Sequence, residues 1–236
     1  MSKDNIENLK KPDNKDTVTY GTFNWGPCVV QLRISDGFRD KLLEGAEEAR
    51  NKKINYQDKL AGIIKEEYAY SNKEKYLSEI AQCLGVYDVA FQKFKNETYA
   101  QKPEYLVTAL WVNYMKKHEY NPPHDHSDTL SFVIFLDVPK EITQEQKDYV
   151  GKSGGPGGLS FLWGDGTRQA ITYQSIIPKT NDMYIFPAWL KHYVAPFYSD
   201  VTRISVSGNI TDSVFLNQLK KHKQANIVSH EDIEKK

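Results

Sequence analysis

The chain has 236 residues, of which 31 are basic and 31 acidic, so its formal net charge is +0. This balance argues against a surface that binds nucleic acid or an anionic membrane over the whole protein. The two cysteines, Cys28 and Cys83, form no CxxC pair, which indicates a reducing compartment and argues against a cysteine metal cluster.

The N-terminal segment gives no targeting signal. Residues 1–17 are charged and rich in Asn, Lys and Asp, which predicts a disordered tail. They lack the apolar core of a signal peptide. No run in the chain approaches the roughly 18 apolar residues that a transmembrane helix needs. We therefore expect a cytoplasmic protein with no membrane partner and no indicated nucleic-acid partner.

The first half of the chain predicts helices after a short β segment. Residues 18–34 hold β-branched and aromatic residues around a Gly-Pro break, which predicts one or two strands. Residues 35–52 begin with a Ser-Asp capping signal and carry apolar residues at helical spacing. Residues 72–94 predict a second long helix. The segment between the two helices is predicted to be an ordered connection or a short helix.

From about residue 103 the pattern changes to short β-branched or aromatic runs separated by Pro, Gly and Asp. This spacing suits an antiparallel sandwich or barrel. Residues 139–158 are polar and Gly-rich, which predicts a flexible insertion or lid. A Thr-Asp pair from about residue 211 predicts a short helix, and residues 216–236 are predicted to be a charged tail.

These patterns predict an α+β fold that is mainly β. The natural candidate is a double-stranded β-helix, or jelly roll, supported by N-terminal helices. We expect one domain over residues 18–215, with helical support at about 35–94 and the jelly-roll core at about 103–210.

The stretch "NPPHDHSDTLSF" at 121–132 holds candidate metal ligands. Side chains alternate faces along a strand, so His124, His126 and Asp128 would project the same way. His192 follows a later apolar run. Two imidazoles and one carboxylate form the facial triad that holds non-haem Fe(II) and leaves coordination positions open. A polar turn that happens to contain two histidines is the alternative.

The run "TRISVSGN" alternates strictly and places Arg203 and Ser205 on one face. A buried arginine suits a terminal carboxylate, which it binds through paired charge-assisted hydrogen bonds. Ser205 could add a hydroxyl to the same carboxylate. Periodicity alone does not distinguish such a site from the solvated face of an edge strand.

Four blocks in order carry a resemblance to a known family: "WVNYMKKHEYNPPHDHSDTLSFVIFLDVP", "GGLSFLWGD", "IFPAWLKHYVAPF" and "RISVSGN". This set resembles the 2-oxoglutarate- and Fe(II)-dependent oxygenases. The flanking residues are similar to those of a branch from marine bacteriophages and bacteria, which is related to the prolyl-hydroxylase-like group. The resemblance covers roughly residues 25–210.

The resemblance implies a dioxygenase that hydroxylates its substrate with Fe(II), 2-oxoglutarate and O₂, and with ascorbate where iron must be kept reduced. It implies that iron is held by His126, Asp128 and His192. It implies that Arg203, assisted by Ser205, binds the distal carboxylate of 2-oxoglutarate. Tyr114 or Asn113 would complete that pocket.

Two points stay open. Members of this branch often carry a His-x-His pair, so His124 could replace Asp128 on the metal. The substrate is an unknown peptide, protein or small molecule, with a prolyl residue as the leading expectation by kinship. The alternatives are a cupin-like metal enzyme that does not use 2-oxoglutarate and a jelly-roll binding module with a vestigial metal site.

Overall fold

The structure is a computed structural model that describes residues 26–100, 102–151, 154–164 and 172–217. The predicted N-terminal tail and nearly all of the predicted C-terminal tail lie outside these residues. Among the described helices, none combines the length and the apolar character needed to cross a bilayer.

The helices are α1 (Asp36–Asn51), α2 (Leu77–Lys95) and α3 (Lys140–Asp148). The strands, in chain order, are β1 (Val30–Arg33), β2 (Glu67–Ala69), β3 (Tyr105–Lys116), β4 (Asn121–His124), β5 (Leu130–Asp137), β6 (Leu159–Leu162), β7 (Tyr173–Ile176), β8 (Asp182–Pro187), β9 (Lys191–Val194) and β10 (Thr202–Asp212). Residues 213–217 are helical, and the rest of the short helix predicted there lies outside the described residues.

The strands form two antiparallel sheets. One has six strands in the order β1-β8-β5-β10-β3-β2, and the other has four in the order β4-β9-β6-β7. Phe135 and Tyr184 of the larger sheet share an apolar cluster with Phe161 and Val194 of the smaller sheet. The two sheets therefore pack face to face, which confirms the predicted double-stranded β-helix.

The N-terminal helices cover the other face of the six-stranded sheet. The hydroxyl of Ser35 accepts a hydrogen bond from the backbone N–H of Phe38 at 3.2 Å and so caps α1, as the sequence predicts. Leu42 of α1 and Ile80 of α2 are buried in the same cluster as Ile134 of β5. This helical layer therefore packs against the face of the six-stranded sheet that lies opposite the site.

Two segments differ from expectation. Residues 140–148 form α3, although residues 139–158 were expected to be a flexible insertion. Ile142 is the only apolar residue of this helix, so the segment lacks the stripe of apolar residues at helical spacing by which a helix is predicted. The carboxylate of Glu145 fixes α3 by accepting the backbone N–H groups of Tyr198 and Ser199. The connection between α1 and α2 contains β2, which adds a sixth strand to the larger sheet.

Candidate metal centre and anion site

Three histidines converge between β4 and β9. His124 ends β4 and lies opposite His192 of β9 in the strand register. His126 follows β4, and its backbone N–H donates to the carbonyl of Ala188 at 2.8 Å. One ring nitrogen from each histidine lies within 4.8 Å of the other two. Imidazole nitrogens bind first-row metal ions at about 2 Å, so these three are close enough to converge on one ion.

Hydrogen bonds fix the tautomer of two of these rings. Nδ1 of His124 lies 2.7 Å from the carbonyl oxygen of Pro122, and Nδ1 of His192 lies 2.9 Å from that of Leu190. A carbonyl oxygen can only accept a hydrogen bond, so each Nδ1 carries the proton. Each Nε2 therefore keeps its lone pair for a metal, which is the arrangement that orients histidine ligands in metalloproteins.

His126 and His192 are held in the neutral form that metal binding requires. Burial and, to a smaller extent, the neighbouring His124 lower the pKa of His126 to about 4. Burial lowers the pKa of His192 to about 3, again with a contribution from His124. At neutral pH a metal ion therefore does not compete with a proton for either ring.

Asp128, a predicted ligand, lies outside this group. Among the described His, Cys, Asp and Glu side chains, the group consists of His124, His126 and His192. The carboxylate of Asp128 instead accepts a hydrogen bond from the hydroxyl of Thr108 at 3.2 Å. The physical reason is that β4 ends at His124, so the alternation of faces does not continue to Asp128.

Arg203 of β10 is buried with only 2% of its surface exposed, and it has no counter-ion among the described residues. Its Nη1 donates to the carbonyl of Gly157 at 2.8 Å, its Nη2 contacts the Sδ of Met115 at 3.0 Å, and its Nε has no hydrogen-bond partner. The guanidinium carbon lies 5.3 Å from the ring centroid of Phe135. Burial lowers the pKa of Arg203 to about 10, so the side chain stays charged at neutral pH.

A buried charge without a partner is unfavourable unless a ligand of opposite charge completes the site. Arg203 and the three histidines line one cavity with a volume of about 50 Å³. The arrangement combines an imidazole metal site with a buried anion site in a single pocket.

The polar floor of the cavity comes from β3 and β10. Ser205, Ser207 and Asn209 follow Arg203 on the cavity-lining face of β10. The amide nitrogen of Asn113 lies 3.4 Å from the Ser205 hydroxyl and 3.3 Å from that of Ser207. This network fixes the hydroxyls next to the guanidinium.

Tyr114, predicted for this pocket beside Asn113, lies on the other face of β3. Its hydroxyl donates to the carboxylate of Glu47 at 2.9 Å, and the guanidinium of Arg50 lies 4.6 Å from its ring centroid. Tyr114 therefore packs against α1 and does not line the cavity, whereas Asn113 does.

The cavity also contains Glu67 of β2, to which the sequence assigned no role. Glu67 is 1% exposed, and its Oε1 has no hydrogen-bond partner. Burial and, to a smaller extent, the nearby Glu119 raise the pKa of this carboxyl to about 8. The sequence feature that could have identified Glu67 is an acidic residue beside an aromatic, strand-like run, "EEYAY".

Comparison with known proteins adds to this geometry. Residues 109–209, which include the three histidines and Arg203, match a family model described as "Putative 2OG-Fe(II) oxygenase". Residues 109–209 therefore resemble the core of the 2OG-Fe(II) oxygenases, and the protein is an oxidoreductase. Its cofactors are Fe(II) and 2-oxoglutarate. No curated protein matches the chain in sequence.

Solved structures resemble this chain in fold at low sequence identity. A Pseudomonas putida prolyl-4-hydroxylase matches with a TM-score of 0.51 and 12% identity over 78% of this chain and 91% of that one. A Trichoplax adhaerens prolyl hydroxylase, in complex with a hypoxia inducible factor peptide fragment, matches with 0.51 and 12% over 79% and 84%. A non-heme alpha ketoglutarate dependent carbocyclase from nogalamycin biosynthesis matches with 0.50 and 14% over 77% and 78%. Together they share the double-stranded β-helix.

The residues present fit both cofactors. Three imidazoles, at least two of them with Nε2 free, suit a first-row metal such as iron. The unpartnered Nε of Arg203 and the adjacent hydroxyl of Ser205 suit a carboxylate.

Proposed function

We propose that this oxygenase hydroxylates its substrate with Fe(II) held by His124, His126 and His192. Arg203, with Ser205 and Asn113 beside it, binds the distal carboxylate of 2-oxoglutarate. The observation that carries this proposal is the buried, unpaired guanidinium in the same cavity as the histidine cluster. It also argues against a cupin-like enzyme that does not use 2-oxoglutarate, because such an enzyme needs no buried anion site there.

The protein's contribution is to position and desolvate the reactants. The fixed tautomers of His124 and His192 hold Nε2 ready for the metal without reorganisation. Phe186, whose ring centroid lies 4.8 Å from that of His192, and Phe161 at 6.2 Å exclude water from one side of the metal site. Bound Fe(II) and 2-oxoglutarate supply the oxidising chemistry with O₂, as cofactors generally do for reactions that side chains cannot perform.

The proposed substrate is a prolyl residue of a peptide or protein. Two of the solved structures with a TM-score above 0.5 are prolyl hydroxylases, and one of them is in complex with a peptide fragment. Exposed Ala61 and half-buried Leu60 line the cavity on the solvent side, which leaves an apolar mouth for such a side chain. We also propose membership of the branch from phages and bacteria, on the motifs of residues 109–209.

The ligand set is tested by metal binding. Anaerobic titration of the protein with Fe(II) and 2-oxoglutarate should give the weak visible charge-transfer band of the chelate. His124→Ala should abolish the band and weaken Mn(II) binding strongly, because it removes one of the three converging nitrogens. Asp128→Ala should keep both, because its carboxylate is bonded to Thr108.

The opposite pattern, with loss in Asp128→Ala and retention in His124→Ala, would return the site to the His126, Asp128 and His192 set. Well-folded protein that binds neither Fe(II) nor Mn(II) would favour a jelly-roll binding module. Succinate formation that depends on added peptide, tested with proline-containing and proline-free versions of the same sequence, would test the substrate.

A further inference from the structure

Glu67 is a buried acid that faces the same cavity and has no part in the site proposed above. It lies on β2, in register with Asn113 of β3, which is in turn in register with Ser205 of β10. Neighbouring strands are about 4.8 Å apart, so Glu67 and Ser205 lie on the same level of the sheet, roughly 10 Å from each other.

No described residue satisfies this carboxyl. Its Oε1 is buried without a hydrogen-bond partner. The amide nitrogen of Asn113 points to Ser205 and Ser207 instead. Glu119, the nearest acid that influences it, accepts the backbone N–H groups of Lys65 and Lys116 and donates nothing to Glu67. A buried acid left without any partner in a cavity is expected to interact with what binds there.

The charges of the loaded site indicate what that interaction is. Three neutral imidazoles bring no negative charge to a divalent ion, whereas the usual facial triad includes one carboxylate. Fe(II) and Arg203 together bring three positive charges, and 2-oxoglutarate brings two negative charges. One positive charge remains in a desolvated pocket, and Asp128 lies outside the histidine cluster.

We propose that Glu67 supplies, from the neighbouring strand, the negative charge that the all-histidine metal centre lacks. This inference rests on the proposed ligand set of His124, His126 and His192. Glu67 acts on the metal ion by electrostatic attraction and is not assigned as a metal ligand. Its carboxyl is neutral in the empty cavity and ionises when the metal enters.

The test compares Mn(II) affinity, measured by calorimetry on the full-length protein, in wild type and Glu67→Gln. Coulomb attraction between a unit charge and a divalent ion that share one partly hydrated cavity predicts a roughly five- to twentyfold weaker affinity. Glu67→Asp keeps the charge and should recover most of the affinity. Glu66→Gln is the matched control, because Glu66 pairs with Arg50 and Lys116 away from the cavity.

Two further measurements exclude a merely structural effect. The affinity for 2-oxoglutarate at saturating Mn(II) should not fall in Glu67→Gln, because the substitution removes a negative charge near an anion. Wild type should release close to one more proton than Glu67→Gln on Mn(II) binding at pH 7. This difference isolates Glu67, because Arg203, Glu119 and the three histidines are the same in both proteins.

Unchanged Mn(II) affinity in Glu67→Gln, or equal proton release, would overturn the role of Glu67. So would a parallel loss of metal and 2-oxoglutarate binding, which would make Glu67 a structural residue. If His124→Ala binds Mn(II) as tightly as wild type, the proposed ligand set fails. If only Glu67→Gln behaves like wild type, the ligand set stands and the inference about Glu67 fails.

Discussion

Replacing Arg203 with methionine should separate the stability of the empty protein from its ability to bind 2-oxoglutarate. Lowering the pKa of Arg203 from 12.5 to about 10 corresponds to an unfavourable burial of the charge on the order of 3 kcal/mol. The hydrogen bond to the Gly157 carbonyl offsets about 1.5–3 kcal/mol of this penalty. Arg203→Met keeps most of the buried volume, so we expect its free energy of unfolding to lie within about 1.5 kcal/mol of wild type.

The stabilisation that 2-oxoglutarate gives should change far more than the stability of the empty protein. At a concentration of 100 times its Kd, 2-oxoglutarate stabilises the native protein by about 2.7 kcal/mol. For a protein of this size that raises Tm by roughly 5–10 °C. Loss of a charge-assisted hydrogen-bond pair weakens binding roughly a hundredfold, so the shift in Arg203→Met should fall to about 1 °C.

The assay is thermal unfolding with Mn(II), with and without 2-oxoglutarate, alongside denaturant unfolding of the empty proteins. Arg50→Met is the control for loss of an arginine, because Arg50 lies against Tyr114 on the other face of the sheet. If 2-oxoglutarate raises the Tm of Arg203→Met as much as that of wild type, the proposed anion site is refuted. A loss of more than about 3 kcal/mol in the empty variant would refute the argument that the charge is poorly compensated.

Two further predictions concern stability. The folded pKa of Glu67 is about 8 against 4.5 for an ordinary glutamate, so between these values the native state binds more protons than the unfolded state. The contribution of Glu67 to the stability of the metal-free protein should therefore fall, by up to a few kcal/mol, as pH rises from 5 to 8. The free energy of unfolding of wild type relative to Glu67→Gln, in which the contributions of His126 and His192 cancel, should fall over this range in denaturant titrations. Parallel curves would contradict this reasoning. Gly208→Ala places a Cβ 2.4 Å from the Phe132 ring and 2.9 Å from the Ala109 carbonyl. It should lower the free energy of unfolding by about 1–3 kcal/mol, and an unchanged denaturation midpoint would show that the sheet yields there.

The fold was predictable where one periodicity runs through a long element. β10 spans Thr202–Asp212 without a break before Asn209, so strict alternation placed Arg203 and Ser205 on one face, and both line the cavity. The Ser-Asp signal likewise located the start of α1, because a cap is a local interaction.

The ligand set was less predictable because the rule that chose it is valid only inside a strand. His124, His126 and Asp128 alternate in sequence, but β4 ends at His124 and the chain then turns. Which of these residues meets His192 therefore depends on the pairing of β4 with β9, which is a tertiary contact. The sequence therefore indicated His124 as an alternative ligand but did not distinguish it from Asp128.

The choice between Asn113 and Tyr114 could not be made from the sequence for a related reason. Adjacent residues of a strand lie on opposite faces, and both faces of β3 are buried. Polarity alone does not decide between them, because Tyr114 finds a partner in Glu47 on the helical side. The register that places Asn113 opposite Ser205 decides it, and no pattern within β3 carries that information.

The two prolines of β4 have a consequence for how the protein behaves at high concentration. β4 is an edge strand, because among the described strands it pairs with β9 alone. An edge strand with free N–H groups is a template on which another chain can add a strand. Pro122 and Pro123 have no N–H to offer, so the strand that carries His124 is a poor template for self-association. The edge of the metal centre can therefore stay open to an incoming substrate without recruiting a second copy of the chain.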